Sequence, residues 1–194
     1  MADKVVWHTT MSLDGYIADR DDSLGWAFGY EGTLVPSLAE IVASAGAVLT
    51  GRRLYDLGAT THAGAKLYGG AYTGPVFVLT HHSPGVPDDP AVRFVTSGVR
   101  DAVAFARAGA GGKDVLVIGS GVATQCLLAG LVDELLVHQV PVLLGDGVRL
   151  FAHPGGKPAG LELLSATPSG QVLNLRFRVK AGGEVTAYEV TASR

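Results

Sequence analysis

The chain cannot form an internal disulfide, because its 194 residues include one cysteine, Cys126. A lone thiol fits a reducing cytoplasm, and its apolar surroundings predict a small buried side chain. The chain also lacks any run approaching the roughly 18 apolar residues of a membrane span, and its amino terminus shows no apolar signal segment. The sequence therefore predicts a cytoplasmic protein without a membrane anchor.

Positive charge is scarce as well. Fifteen Lys and Arg residues stand against 18 Asp and Glu, which gives a net charge of −3. An obligate nucleic-acid binder would normally carry a basic face, so no nucleic-acid partner is expected. Charged residues make up only 17% of the chain and hydrophobic residues 47%, which excludes a disordered protein. The length fits a single domain over 1–194.

Several catalytic motifs are missing. No G-x-x-x-x-G-K-[ST] loop occurs, which argues against a kinase or ATPase, and no H-E-x-x-H or paired cysteines indicate a metal site. Ser120 is flanked by Ile118 and Val122, so the G-x-S-x-G elbow of a serine hydrolase is absent. We expect His8 and His138 to be ordinary strand residues.

Strand and helix patterns alternate along the chain, which predicts a three-layer α/β/α domain. Its sheet would be parallel early and antiparallel at its end. The predicted strands cover 5–12, 47–50, 76–80, 92–95, 114–118, 134–140, 161–167, 171–180 and 185–190; the predicted helices cover 36–45, 52–57, 99–108 and 122–129. Residues 58–74 contain five glycines and predict a long loop, a feature that compact domains usually keep for function.

Two corners in this pattern are suited to anions. Gly119-Ser120-Gly121 lies between a strand and a helix, where glycines admit a phosphate and helix N–H groups point at it. A second strand ends at Gly51-Arg52-Arg53, which brings two guanidinium groups. Two such corners predict a ligand with several phosphates, and therefore a nucleotide.

A standard Rossmann domain does not fit the first corner. The motif reads G-x-G-x-x-T, and the position about 20 residues later, where a ribose-binding acid is wanted, holds Gln139. The motif also lies in the second half of the chain instead of on the first strand.

Longer segments resemble a known family. The runs Ser12-Leu-Asp-Gly-Tyr-Ile-Ala and Val48-Leu-Thr-Gly-Arg-Arg-Leu-Tyr are similar to the opening and the glycine–arginine corner of the dihydrofolate reductase fold. The segments at 117–121, 131–135 and 141–151 resemble most closely the reductase domain of bacterial riboflavin biosynthesis. The resemblance covers roughly residues 4–180 and implies a dihydrofolate reductase-like mixed sheet with antiparallel C-terminal strands.

The resemblance also implies NADPH as cofactor, with hydride transfer as the reaction. It assigns the pyrophosphate to the turn formed by Gly119, Ser120, Gly121, Val122 and Ala123, and it assigns further phosphate contacts to the corner at Gly51, Arg52 and Arg53. Thr80 and His81 would lie near the adenosine ribose and its 2′-phosphate. Backbone groups at Thr10 and Ile17 would contact the nicotinamide amide.

The substrate side has fewer matches. In dihydrofolate reductases a carboxylate follows a tryptophan by five residues, and here Glu31 follows Trp26 at that spacing. Glu31 is then a candidate catalytic residue that steers protonation, although an exposed loop glutamate is the preferred interpretation. Asp14 is a second catalytic candidate and Asp146 a further one, each also suited to forming a turn.

We therefore expect an NADPH-dependent reductase that delivers a hydride to a small heterocycle or sugar-derived imine, as in the 5-amino-6-(5-phosphoribosylamino)uracil reductases. Two alternatives stay open: a true dihydrofolate reductase, and a non-catalytic nucleotide-binding protein on the same fold. The chain shows no zinc-deaminase motif. A homodimer is expected, because the C-terminal strands at 172–179 and 185–190 offer an edge for a partner.

Overall fold

The computed structural model describes residues 3–28, 30–61, 67–83 and 85–180, with the backbone alone at 28, 31–37 and 59–61. Ten strands and five α-helices follow one another in these ranges, together with a short 3₁₀ turn at Leu67–Gly70. The strands are β1 Val5–Ser12, β2 Tyr16–Ala18, β3 Ala45–Gly51, β4 Val76–Leu79, β5 Val92–Val95, β6 Asp114–Ile118, β7 Glu134–Val140, β8 Val148–Arg149, β9 Leu161–Ser169 and β10 Val172–Val179. The helices are α1 Gly25–Phe28, α2 Glu31–Ser44, α3 Arg52–Thr61, α4 Val99–Gly109 and α5 Ser120–Leu128.

Eight strands form one mixed sheet in the order β5-β4-β3-β6-β1-β7-β10-β9. All neighbouring pairs from β5 to β7 are parallel, whereas β10 pairs antiparallel with both β7 and β9. The remaining strands, β2 and β8, form a separate two-stranded ribbon. The prediction of a mixed, dihydrofolate reductase-like sheet with antiparallel C-terminal strands is confirmed.

Helices cover both faces of this sheet. On one face, α4 and α5 pack an apolar cluster that includes Leu49, Val117, Ala106 and Cys126, each fully buried. On the other face, Ile41 of α2 and Tyr55 of α3 pack against a smaller cluster. We call these the α4–α5 face and the α2–α3 face. Because successive strand residues point to opposite faces, each strand of the central sheet contributes to both layers.

The predicted helix start at Pro36 is wrong, since α2 begins five residues earlier and ends at Ser44. Proline is favoured in the first helical turn, but here it is an interior residue. Helix α3 continues to Thr61, past Gly58, so the predicted loop over 58–74 is helical at its start. The ribbon strands β2 and β8 and the short α1 were not predicted. The predicted strand at 185–190 lies outside the described residues.

Within the described ranges, no helix combines the length and the apolar character that crossing a lipid bilayer would require.

Candidate functional site

Four neighbouring parallel strands end at one edge of the sheet. Thr50 of β3 lies beside Ile118 of β6, and Gly51 lies beside Leu79 of β4. The corners that follow these strands therefore meet along this edge, with the end of β1 on the far side of β6. In open α/β sheets, the carboxyl edge of the strands is where ligands bind. The structure thus brings together the three predicted groups at 51–53, 80–81 and 119–123.

The corner after β6 has the geometry of an anion site. Gly119 adopts φ 87° and ψ 136°, a conformation that favours glycine, and precedes the first residue of α5. A Cβ built on Gly121 would meet no atom within 4 Å, so there is open space beside the first helical turn. The first N–H groups of any α-helix lack intrahelical partners and carry the positive end of its dipole. Val122 and Ala123 bury their side chains, which leaves only backbone groups for a ligand. The N–H of Ala123 already donates to the carbonyl of Gly119 at 3.2 Å, so the structure does not favour the predicted pyrophosphate contact at Ala123.

Ser120 has a different contact from the one expected. Its hydroxyl donates to the carbonyl of Leu150 at 3.1 Å, which ties the start of α5 to the segment after β8.

Both arginines of the β3 corner are paired with carboxylates. The Nε of Arg52 donates to both oxygens of Asp56 at 2.7 Å, and its guanidinium lies 5.6 Å from the ring centroid of Phe94. Arg53 donates to Asp22 through Nε at 3.0 Å and through Nη2 at 2.5 Å. The Arg53 side chain is 73% exposed. A phosphate at this corner would therefore exchange with a carboxylate that is already present.

The position after β4 is held by backbone and side-chain bonds. The N–H of Thr80 donates to Val95 at 3.0 Å, and its hydroxyl donates to the carbonyl of His82 at 2.9 Å. His81 is exposed beside it. Both predicted residues therefore lie at the carboxyl edge, with the His81 ring open to an incoming ligand.

Just after β1, Asp14 links the turn that follows Ser12 to the loop at 144–145 by hydrogen bonds. Its carboxylate accepts from the Ser12 hydroxyl at 2.7 Å and from the N–H groups of Leu144 and Gly145 at 3.1 and 2.7 Å. The hydrogen bond from Ser12, helped by those from the backbone, lowers the pKa of Asp14 to about 2. A carboxylate in this state has no proton to donate at neutral pH, so the geometry favours a structural part for Asp14 over the predicted catalytic one.

The other predicted residues near β1 are placed less tightly. Thr10 lies on β1, and Ile17 is buried in β2 on the far side of the turn. Glu31 is the first residue of α2, and its side chain lies outside the part of the chain that the structure describes. Asp146 accepts from the N–H of Gly147 at 2.8 Å, as expected of a turn-former.

A buried polar chain on the α2–α3 face was missed by the sequence analysis. Tyr68 Oη lies 2.9 Å from His8 Nδ1, His8 Nε2 lies 2.9 Å from His138 Nε2, and His138 Nδ1 lies 2.5 Å from Asn174 Oδ1. Burial, with a smaller contribution from His138, lowers the pKa of His8 to about 3. Burial also lowers the pKa of His138, against a weaker opposing effect of Asn174. The available signal was one histidine inside each of two apolar strands.

Two cavities lie away from the carboxyl edge. One of about 300 Å³ lies on the α4–α5 side and has an almost wholly apolar wall that includes Leu127, Phe151 and Leu161. Another of about 480 Å³ opens between the C-terminal half of α2 and strands β9 and β10, beside Asn174 and Arg176. Neither cavity is lined by residues of the glycine corner or of the arginine corner.

Comparison with known proteins identifies the family. Residues 3–175 match the RibD C-terminal domain. The chain belongs to the RibD C-terminal domain family. The uncharacterised protein YwjB of Bacillus subtilis (strain 168) is 25% identical over 177 residues, which cover 91% of this chain and 98% of YwjB.

Solved structures agree with this assignment. A protein of Shewanella sp. PV-4 assigned provisionally to riboflavin biosynthesis shares 25% identity with a TM-score of 0.74, covering 93% of this chain and 99% of its own. A Thermotoga maritima diaminohydroxyphosphoribosylaminopyrimidine deaminase/5-amino-6-(5-phosphoribosylamino)uracil reductase is 19% identical with a TM-score of 0.64, and the match covers 92% of this chain and 57% of that protein. At that identity the likeness shows the fold alone. The chain is a RibD C-terminal reductase-like domain.

Proposed function

We propose that this RibD-type domain is an NADPH-dependent reductase that transfers a hydride to a small heterocyclic or sugar-imine substrate of the 5-amino-6-(5-phosphoribosylamino)uracil type. The observation that carries the proposal is the convergence of a glycine-to-helix corner and a two-arginine corner at one sheet edge. RibD-type reductases typically use NADPH, which fits a site suited to several phosphates.

The residues at this edge fit the cofactor. The pyrophosphate would lie against Gly119, Ser120 and Gly121, where positive φ and open space let a phosphate approach the backbone. Arg53 is exposed enough to meet a 2′-phosphate, together with His81 across the neighbouring strand end. Thr10 and Ile17 would offer backbone groups to the nicotinamide. NADPH supplies the hydride, and the protein supplies alignment and exclusion of water.

At the arginine corner, a cofactor phosphate would have to replace a carboxylate that is already bound to Arg53. Asp22 occupies Arg53 in the free protein, and its backbone adopts φ 62° in a turn that Asp19 closes by accepting from Asp21 and Ser23. A phosphate dianion would outcompete one carboxylate for the guanidinium because it carries more charge and more acceptor oxygens. We expect the Asp22–Arg53 pair to open when NADPH binds.

Reduction of a C=N bond also needs a proton on nitrogen. Asp14 is ionised and fully engaged, so it is a poor source. Glu31, at the start of α2, is the proposed donor, with water as the alternative. Its place at a helix start on the α2–α3 face puts it on the side of the sheet opposite to α5.

The test is a titration with NADPH and NADH, followed by quenching of Trp26 fluorescence and energy transfer to the nicotinamide. We expect micromolar binding with a preference for NADPH. Arg53→Ala should weaken NADPH binding about 10-fold or more and leave NADH binding nearly unchanged, since a charge-assisted bond is worth roughly 1.5–3 kcal/mol. Ser120→Asp should weaken both, because it places a negative charge against the pyrophosphate.

The matched control is Arg178→Ala, which removes an arginine that is 56% exposed, donates to Glu162 at 2.8 Å and lies beside Glu134 at the start of β7, at the opposite edge of the sheet. It should bind both nucleotides like the wild type. If neither NADPH nor NADH binds at millimolar concentration, the reductase proposal is wrong. Binding without turnover of any phosphoribosylaminopyrimidine would instead favour the non-catalytic alternative, and tight methotrexate binding would favour a true dihydrofolate reductase.

We also propose a homodimer through the C-terminal strands. Strand β9 is the outer strand of the described sheet and exposes Leu161, Leu163 and Leu164 by 39%, 56% and 37%. Exposed leucines on an edge strand are typical of a surface that a partner covers. Sedimentation analysis should show a dimer that Leu163→Glu converts to monomer, whereas a monomeric wild type would overturn this proposal.

A further inference from the structure

The polar chain of Tyr68, His8, His138 and Asn174 joins four separate parts of the fold. Tyr68 lies in the 3₁₀ turn before β4, His8 in β1, His138 in β7 and Asn174 in β10. His8, His138 and Asn174 are each at least nine-tenths buried, with exposures of 6%, 1% and 9%. Buried polar groups are normally retained only when each finds a partner, and here both ring nitrogens of each histidine have one.

The acceptor at one end fixes every proton in the chain. With Oδ1 of Asn174 facing it, His138 Nδ1 must carry a proton, because a carbonyl oxygen only accepts. Both imidazoles are neutral, since burial lowers the pKa of each. His138 Nε2 is then an acceptor, so His8 Nε2 donates to it and His8 Nδ1 accepts from the Tyr68 hydroxyl. The two histidines therefore hold opposite tautomers.

At the other end of the polar chain, the backbone of Tyr68 adopts a conformation that neighbouring contacts must hold in place. Tyr68 adopts φ 56° and ψ 38°, and Gly69 follows with φ 64°. The left-handed region is unfavourable for a residue with a side chain and persists where neighbouring contacts hold it. Tyr68 is held by its bond to His8 and by the apolar cluster of the α2–α3 face.

We propose that Asn174, His138 and His8 are positioning residues that fix the Tyr68 hydroxyl with its proton turned into the sheet, and so hold residues 67–74 against β1. His8 and Thr10 lie on the same side of β1, roughly 7 Å apart at the usual rise per residue. Given the proposed function, the anchored segment therefore borders the substrate side of the hydride-transfer site. Tyr68 cannot donate to a substrate while it donates to His8, so it shapes the wall of the site.

The described charged side chains on the α2–α3 face do not contact the buried polar chain. Toward the amino-terminal edge, Glu134 accepts from Lys4 and from Arg176, each at 2.6 Å. Burial alone would raise the pKa of Glu134, but these two cations outweigh it and hold the pKa below its usual value. Tyr72 raises the pKa of Tyr68 further, beyond the effect of burial. No described ionised group therefore touches either imidazole.

The first test is NMR of the imidazole nitrogens in the cofactor-free protein at neutral pH. His138 should show the Nδ1–H tautomer and His8 the Nε2–H tautomer. Asn174→Asp keeps an acceptor and should keep the proton on His138 Nδ1. Asn174→Leu removes it and should switch His138 to the Nε2–H tautomer. A charged imidazole in the wild type, or His138 already protonated on Nε2, would overturn the proposal.

Hydrogen exchange tests the anchoring separately, in case Asn174→Leu does not fold. Tyr68→Phe removes one hydroxyl and should speed amide exchange across residues 67–74 at least 10-fold, with His138 keeping its tautomer. His153→Gln changes an exposed histidine that does not belong to the buried polar chain, and it is the matched control. It should change neither the amide exchange of residues 67–74 nor the tautomer of His138. Unchanged exchange in Tyr68→Phe would contradict the anchoring.

Turnover gives the third readout. With a phosphoribosylaminopyrimidine substrate, Asn174→Leu should raise KM about 5-fold or more with little change in kcat or in the Kd for NADPH, and Asn174→Asp should restore KM. Wrong tautomers with intact NADPH binding would refute the positioning chain alone. Correct tautomers without NADPH binding would refute the proposed function alone.

Discussion

The two faces of the sheet are built differently. The buried cluster on the α4–α5 face is apolar, and its one buried side-chain nitrogen, Trp7 Nε1, has no partner among the described residues. On the α2–α3 face, the next residue of the same strand, His8, satisfies both of its ring nitrogens. Neighbouring residues of β1 thus show the contrast directly. One face is stabilised by packing, whereas the other also carries directed hydrogen bonds that define a single arrangement.

The largest expected effect belongs to the apolar face. Leu49 is fully buried there, and Leu49→Ala should lower the free energy of unfolding by about 3 kcal/mol through lost burial and a residual cavity. Urea unfolding at pH 7 and pH 5 should give the same loss at both pH values, because no titrating group is changed. A loss that depends on pH would show that the two faces are coupled.

The next effect belongs to the polar face and depends on pH. His8 has a pKa of about 3 in the folded protein and an ordinary value of 6.5 when unfolded, so between these values the unfolded chain binds more protons. Stability should therefore fall as pH falls below 6.5, by about 2 kcal/mol between pH 7 and pH 5 from His8 alone.

The same urea series on His8→Gln isolates that contribution. The variant should be less stable at pH 7 but should lose less stability on acidification than the wild type. The carboxylates with lowered pKa values, Asp14 and Glu134, lose their contribution only at lower pH, as they take up protons. Equal slopes for wild type and variant would show that His8 titrates normally in the folded protein.

The smallest effect concerns Cys126, whose thiol we expect to be unreactive in the folded protein. Cys126 is fully buried, and burial raises its pKa to about 12, so the reactive thiolate is scarce. The native protein should react with a thiol reagent only as fast as it unfolds, and Cys126→Ala should cost about 1 kcal/mol with unchanged nucleotide binding. Fast labelling in the absence of denaturant would mean that the α4–α5 face opens locally.

The sequence predicted the sheet better than the layers around it. The predicted limits of strands β1, β5 and β6 agree with the structure, because each strand is rich in the β-branched and aromatic residues that favour extended backbone. The start of α2 was misplaced because the proline preference for a first turn was applied to an interior proline, Pro36. Tertiary packing on the sheet outweighs such local preferences.

At the site, motifs predicted the edge but not the polar chain. The corners at Gly51 and Gly119 were found because a glycine after an apolar strand is a local signal, and strand pairing brings them together. The predicted catalytic residue Asp14 instead accepts hydrogen bonds that link two loops, and the side chain of Glu31 lies outside the described residues. The polar chain is a tertiary arrangement: His8 and His138 are 130 residues apart, and only the β1–β7 pairing makes them neighbours.

That separation also bears on how the protein is made. The terminal acceptor, Asn174, is near the end of the described chain, after β7 and β9 have been synthesised. During synthesis on a ribosome, both imidazoles have all their hydrogen-bond partners only after β10 has left the exit tunnel. Long-range contacts of this kind form slowly, so the centre of the sheet is completed only after β10 has been translated.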